Sequence, residues 1–541
     1  MRDGGQGHGG DDVAPNQRLA QAVPVTARTV LQIGAGAGWI GALLKQRHPA
    51  PVVFGAGPAH VPTGGAAPPG ALDGYYALDL DDDVPPLEPG SVDCIVYADA
   101  LLQVIDPLAA LQRHRGLLSS AGTVVCSVPN LQHHSVVSGI LRGVFPYARG
   151  TLIDPSYRWF FTSASIMQLL LDAGYAPDTV GRVEDGGAGP LAVAGGPLFE
   201  LLGVGAADAE RDLRTETLIV RGTPIPDLGG ADEVPVTFVA CVNDDAQLDA
   251  NLQRSPCLRG ASPHEVLVFR GCATAAEGLN AGIEQAKHEF VVLLHQDVYL
   301  PAGWPARMVA QWRLAESQGG PIGIGGVFGV LDRRVPFDAI GRVVHRDRLL
   351  SHRDLPADVD GLDELLMVVP RGTPLRVDGA LGWHLYGTDL ALQAQARHLR
   401  VVVVDAPCHH NSLTGRVPWH YRESERVLAR KWEKLLPIHT NLSSIGSWLI
   451  DGSVALDQPV SADPSSPELA SPELASPELG TDSAGHSSAI AELVTRLRRE
   501  QVALNGELEQ ARLQVASMQA SPFWRARQAY VSIRDRLSHR R

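Results

Sequence analysis

An apolar run, FVVLL at residues 290–294, ends in His295-Gln296-Asp297. A carboxylate leaving the C-terminal edge of a buried strand is well placed to hold a divalent cation, because Mg2+ and Mn2+ accept hard oxygen ligands and can bridge a diphosphate. An isolated Asp at such a place more often caps a turn, so the assignment needs a partner. His409 and His410 offer one. A neutral imidazole beside a carboxylate suits Mn2+, and only one of the two histidines is expected to face inward; we take His410. Far upstream, VLQIGAGAGW places Gly34, Gly36 and Gly38 in the turn leaving a strand. Glycine there lets the backbone approach a ligand closely and opens the next helix toward it.

Two series of elements must position these groups. TVLQIGAG, PVVFGAG, DCIVYADA and GTVVCSVPN alternate with helical patterns between residues 28 and 226, and VTFVACVN, EVLVFRG and EFVVLLHQD do so between 235 and 450. Such alternation implies parallel sheets covered by helices, hence two consecutive α/β domains. The segment PIPDLGGADE between them reads as a linker, and residues 1–27 read as disordered. At 541 residues, 45% hydrophobic and 20% charged, the chain has ordinary globular composition. Acidic residues outnumber basic ones by 60 to 46, for a net charge of −14, which argues against a nucleic-acid partner. The six Cys include no C-x-x-C pair and several lie in apolar runs, so small buried thiols are expected rather than a disulfide framework or zinc site. No secretory h-region and no stretch of 18 apolar residues is visible, so a cytoplasmic location is expected.

The first domain resembles the class I S-adenosylmethionine-dependent methyltransferases. The resemblance rests on the glycine turn, on LEPGSVDCIVYADALLQVIDPLAALQRHRGLLSSAGTVVCSVPN from Leu87 through Asp93 to Asn130, and on IDPSYRWFFTSASIMQLLLDAGY. It implies a Rossmann-like fold and S-adenosylmethionine as a cofactor, with Gly34, Gly36 and Gly38 at the ligand and Asp79 near the adenine. Gln32 and Gly57 stand where that family usually carries acids, the second of which binds the ribose hydroxyls.

The second domain is similar to the nucleotide-diphospho-sugar transferases of glycosyltransferase family 2, which have the GT-A fold, and within them to the streptomycin-biosynthesis glycosyltransferase-like branch. CVND at 241–244, LNAGIEQAKHEFVVLLHQDVYLPAGW, VDGLDELLMVVPR at 359–371, LGWHLYGTDLALQA and CHHNS at 408–412 carry it. The resemblance implies an inverting, metal-dependent transfer from a nucleotide-sugar donor to a glycan or lipid-linked acceptor. Asp297 and His410 would hold Mn2+ or Mg2+, and Asn243, Asp244 and Asn280 would lie around the nucleotide. Trp383 and His384 would face the acceptor, although packing is an equal role for Trp383. An inverting transfer needs a carboxylate base. Gly387 falls where the family's acid usually stands, which leaves Asp389 and Asp363 as candidates. Two alternatives remain: a glycan methyltransferase whose second domain only binds sugar, and a non-enzymatic glycan-binding scaffold.

Residues 451–488 contain three near-copies of SPELA and read as a flexible linker. Over 489–519 apolar residues recur at alternating three and four, a short coiled coil through which the chain would self-associate. Residues 520–541 form a basic, aromatic tail suited to peripheral contact with the inner face of an anionic membrane.

Overall fold

The computed structural model describes residues 13–446, apart from 35–37, 59–67, 146, 185–190, 192–194, 197–198, 200–201, 203, 228–233, 261 and 413–420. Gly36, the SPELA linker, the 489–519 heptads and the basic tail therefore lie outside the described residues.

The first domain is built on strands β1 (Thr29–Ile33), β2 (Val52–Gly57), β3 (Gly74–Ala77), β4 (Val92–Ala98), β5 (Leu118–Pro129), β6 (Tyr175–Glu184) and β7 (Thr215–Pro224). Their order is 3-2-1-4-5-7-6. The first five are mutually parallel, and β7 runs antiparallel to both β5 and β6. The 3-2-1-4-5 arrangement is the Rossmann-like order, which opens a ligand crevice at the C-terminal ends of β1 and β4, where the winding reverses. The central strands are buried on both faces, with Val30, Leu31, Ile33, Ile95 and Val125 at 1% exposure or less. That explains why they read as continuous apolar runs. Residues 1–27 were expected to be disordered; instead Val13–Ala22 is a helix that buries Leu19 and Ala20, with Val23 just after it, in the core with Val30 and Ile219. Its apolar residues were too few to register as a periodic signal. Cys94, Cys126 and Cys408 are buried as expected, and burial pushes the Cys94 and Cys126 thiols up to about 12.

Among the described residues the second domain contains two large sheets and a two-stranded one formed by Ile438–His439 with Ser444–Ile445. Strands β8 (Val236–Val242), β9 (Glu265–Arg270), β10 (Phe290–Leu294), β11 (Val298–Tyr299), β12 (Ile322–Gly326), β13 (Phe328–Val330), β14 (Ala339–His345), β15 (Arg348–His352), β16 (Ala357–Asp358), β17 (Gly361–Leu362), β18 (Leu366–Pro370), β19 (Arg400–Val403) and β20 (His409–His410) follow in chain order. The larger sheet has the order 16-19-12-18-10-8-9, with β8, β9 and β10 parallel and β18 antiparallel to β10. The smaller sheet runs 11-20-14-13-17, and β15 pairs with β14 as a hairpin. Trp304 and Trp312, from the helix Trp304–Ser317, pack with Phe290 and Phe238 in one core cluster of this domain.

The two α/β domains were read as consecutive, joined by a linker. They belong to one compact unit. Val344 of the second domain sits among the core residues of the first. Among the described residues, no helix is long and apolar enough to cross a membrane.

Candidate functional site

Strand β10 delivers His295, Gln296 and Asp297 to the edge of the larger sheet, and the chain then enters β11. Antiparallel pairing of β11 with β20 sets Val298 opposite His410 and Tyr299 opposite His409. Parallel pairing of β14 with β20 sets His345 beside His410 and Val344 beside His409. Because successive residues of a strand point to opposite faces, His410 turns toward Asp297 and His409 turns away. His409 is fully buried, with Nε2 2.7 Å from the Arg346 carbonyl oxygen. His410 Nε2 lies 3.4 Å from Asp297 Oδ1, and its Nδ1 lies 3.2 Å from His345 Nδ1. His295, Asp297 and His410 each offer a ligand atom within 4.8 Å of the others. The choice of His410 over His409 thus has a cause in register.

The electrostatics are those of a charge cluster shielded from water. Burial would raise the Asp297 carboxyl, but His410 and His295 more than reverse this and hold it well below the usual carboxylate range. Burial would lower the His410 imidazole, and Asp297 overrides that and raises it. Burial lowers His295, and burial with the neighbouring His410 brings His345 down to about 4. His295 Nε2 is also 3.2 Å from the Tyr386 hydroxyl.

Gln296 links this cluster to the loop after β8. Its Oε1 accepts from the backbone N–H groups of Asn243 and Asp244 at 3.0 and 3.1 Å, and its Nε2 donates to Asn243 Oδ1. Asp244 caps the following helix, Asp245–Ala250. Two of the three nucleotide-side residues therefore lie next to the metal candidates. Asn280 does not join them: its side-chain amide is spent on both backbone groups of Val377, a tie between a helix and a distant loop.

A pocket of about 450 Å³ opens on the other side of His295 and His410, and Asp363, Glu364, Trp383 and His384 line it. Trp383 is 38% exposed. Asp363 accepts hydrogen bonds from the Leu365 N–H and the Asn441 side chain. Glu364 was missed in the sequence, where it reads as one acid in DELL. It accepts from the Leu385 N–H, and burial followed by the charge of Asp363 pushes its carboxyl up to about 8.

Asp389, the other candidate base, has a different role. It is fully buried and accepts from Lys431 Nζ at 2.9 Å, Trp432 Nε1 at 2.8 Å and Gln393 Nε2 at 2.7 Å. These bonds tie its helix to the helix Tyr421–Lys431. Nor could an acid replace Gly387, since a Cβ there would meet the Leu362 carbonyl oxygen at 2.7 Å.

In the first domain a crevice of about 490 Å³ lies at the C-terminal ends of the parallel strands, lined by Gly34, Pro58, Asp79, Asp81 and Gln103. Gly34 has φ of +113°, and a Cβ on it would press on Ala100 at 3.0 Å. Gly38, with φ of +84°, begins the helix Trp39–Leu44. At the end of β2, the Tyr75 hydroxyl lies 2.9 Å from where a Cβ of residue 57 would stand, and it donates to the Pro58 carbonyl. The space for a second-strand acid is filled. Gln32 is 2% exposed, and its Oε1 has no hydrogen-bond partner among the described residues.

Comparison with protein-family models gives no match, and comparison with curated proteins gives none. Solved structures do match. A chain from the Haloferax volcanii complex of a methyltransferase activator with a putative methyltransferase is 18% identical, covering 39% of this chain and 88% of that one, with a TM-score of 0.27. A Thermotoga maritima S-adenosylmethionine-dependent methyltransferase, possibly a histamine N-methyltransferase, is 16% identical over 39% and 87%, with a TM-score of 0.25. A Listeria monocytogenes putative S-adenosylmethionine-dependent methyltransferase is 16% identical over 40% and 99%, with a TM-score of 0.27. At these scores they carry no weight for activity, and the methyltransferase-like fold of the first domain rests on its own strand order.

The two sites differ in how well they suit the groups implied for them. Two imidazoles and a carboxylate within 4.8 Å of one another form a donor set that suits a borderline divalent cation such as Mn2+ better than Mg2+. The first-domain crevice keeps the space and Asp79 but has Tyr75 where an acceptor for the ribose hydroxyls would be. It does not fit S-adenosylmethionine in full.

Proposed function

We propose that the second domain transfers a sugar from a nucleoside-diphosphate donor to a glycan or lipid-linked acceptor in surface-polysaccharide assembly, by a metal-dependent, inverting reaction. The observation that carries this reading is the convergence of His295, Asp297 and His410, two of which, His295 and His410, also line a pocket that holds Asp363 and Glu364. When bound, a divalent cation would neutralise the diphosphate and favour its departure. Asp297, His410 and His295 are the residues that would hold it. Gln296 keeps the loop of Asn243 and Asp244 against this cluster, where a nucleotide would lie. The base is drawn from Asp363 and Glu364: it takes the proton of the acceptor hydroxyl as that oxygen attacks the anomeric carbon and the nucleoside diphosphate leaves. Trp383 and His384 would bind the acceptor sugar.

A second reading, glycan methyl transfer from S-adenosylmethionine, is favoured by the strand order and crevice of the first domain. The filled position beside Gly57 weighs against it.

A donor screen separates the two. Full-length protein with Mn2+ should release nucleoside diphosphate from one member of a nucleotide-sugar panel. No release from any donor, with or without candidate acceptors, together with sub-micromolar S-adenosylmethionine binding, would overturn the first reading in favour of the second.

A further inference from the structure

The hairpin of β14 and β15 is a wall shared by two domains. Along β14, Val343 lies in a core cluster of the second domain, Val344 in the core of the first, and His345 back in the pocket. Along β15, Leu349 packs against the first-domain core while its neighbour Leu350 lines the pocket. The register pairs Val344 with Leu349 and Val343 with Leu350, so the apolar residues of each cross-strand pair share one face. One face is a plug in the first domain; the other touches the candidate metal cluster through His345.

The tip of the hairpin is fixed with more than apolar contact. Asp347 is 4% exposed and pairs with Arg182 of β6, which also donates to Thr215 Oγ1 at 2.8 Å. The Thr179 N–H donates to the Asp347 carbonyl at 2.8 Å, Arg346 pairs with Asp208, and the Leu349 N–H donates to Asp178 at 3.1 Å. A second tie reaches the cluster from its other side. Tyr299, two residues after Asp297, donates its hydroxyl to Asp172 at 2.6 Å, at the end of the first-domain helix Ser163–Asp172.

We propose that the first domain sets the geometry of the metal cluster through these two ties, with Arg182 and Asp172 as positioning residues for a site in which they take no chemical part. The proposal rests on the metal-dependent reading of the second domain. It assigns the first domain a function independent of methyl transfer. It also explains why the end of β14 with His345, the two-residue β20 with His410 and the turn with Asp297 hold one arrangement: each is braced directly or through its neighbour by the first domain.

Co2+ is the probe, since its visible absorption reports ligand geometry. Full-length protein is titrated with Co2+ alone, and the same samples are followed by thermal unfolding. Wild type should bind. Tyr299→Phe and Arg182→Ala should each weaken Co2+ binding by about tenfold and change the absorption band, as losses behind a first ligand shell commonly do. Arg182→Lys should recover most of the affinity lost in Arg182→Ala. Val30→Ala, a cavity in the first-domain core away from the hairpin, should lower the melting temperature and leave Co2+ binding unchanged. If Arg182→Ala fails to fold, Tyr299→Phe decides. Unchanged affinity and spectrum in Tyr299→Phe, in a wild type that binds Co2+, would overturn the positioning role while leaving the metal reading intact. A wild type that binds no Co2+ would overturn both.

Discussion

At the scale of single residues, Asp297 and Asp389 show how the same side chain comes to different ends. Both are acids near an apolar run, and both were candidates for chemistry. Asp297 faces two imidazoles, both of which line a pocket; Asp389 is enclosed by a lysine, a tryptophan and a glutamine. Asp389→Ala should therefore cost about 2–3 kcal/mol of stability, since hydrogen bonds to a charged group are lost and Lys431 is left behind. Its metal affinity should be that of wild type; urea unfolding beside a Co2+ titration checks both. Glu364 gives a pH signature. Its folded carboxyl is raised from the ordinary 4.5 to about 8, so the folded state holds the proton more tightly than the unfolded chain. The stabilisation is complete below about pH 4.5 and is lost as the pH rises through about 8. Glu364→Gln should flatten that loss in urea unfolding measured at pH 5, 7 and 9. An unchanged slope would contradict the burial assigned to Glu364. The residue was not legible beforehand because nothing local separates it from Asp363; only the fold closes Leu385 over it. His410, by contrast, was legible as one of a pair, and the register of three strands made the selection.

Among the elements, the long apolar strands were the readable ones. β1, β2, β4, β5, β8, β9 and β10 coincide with runs visible in the sequence. The smaller sheet of the second domain was not, because its strands include two-residue pieces whose pairing depends on the tertiary fold and not on a local pattern. The helix Val13–Ala22 was also missed. It packs by a few small and aliphatic side chains onto β1 and β5 neighbours. The end of β2 has a functional consequence. With the Tyr75 hydroxyl in the place of an acid, S-adenosylmethionine should bind more weakly than about 10 μM, since one lost contact of about 1.4 kcal/mol is already tenfold. A sub-micromolar dissociation constant by calorimetry would show that another group accepts the ribose hydroxyls.

For the molecule as a whole, the expected α/β fold class holds, and the two domains also share core residues. A linker was expected between them, yet Val344 and Asp347 of one are buried in the other. Such an interface is invisible to a sequence pattern, because a hairpin with one face in each domain reads as a strand pair of ordinary alternation. Breaking the Arg182–Asp347 pair should lower stability by about 3 kcal/mol, the order expected when one partner of a buried pair is lost, and chemical unfolding of Arg182→Ala measures it. The C-terminal heptads carry their own expectation from sequence alone. Removing residues 489–541 should leave a monomer by light scattering that no longer sediments with anionic vesicles. A full-length chain already monomeric at micromolar concentration would contradict the coiled coil. The central claim, that Asp297 with its histidines holds a cation for a nucleotide-sugar diphosphate, has a direct measurement: calorimetry of a nucleoside diphosphate against full-length protein, with and without Mn2+, in wild type and Asp297→Ala. Mn2+-dependent binding is expected in wild type and none in a folded Asp297→Ala. Equal, metal-independent binding in both proteins would contradict it.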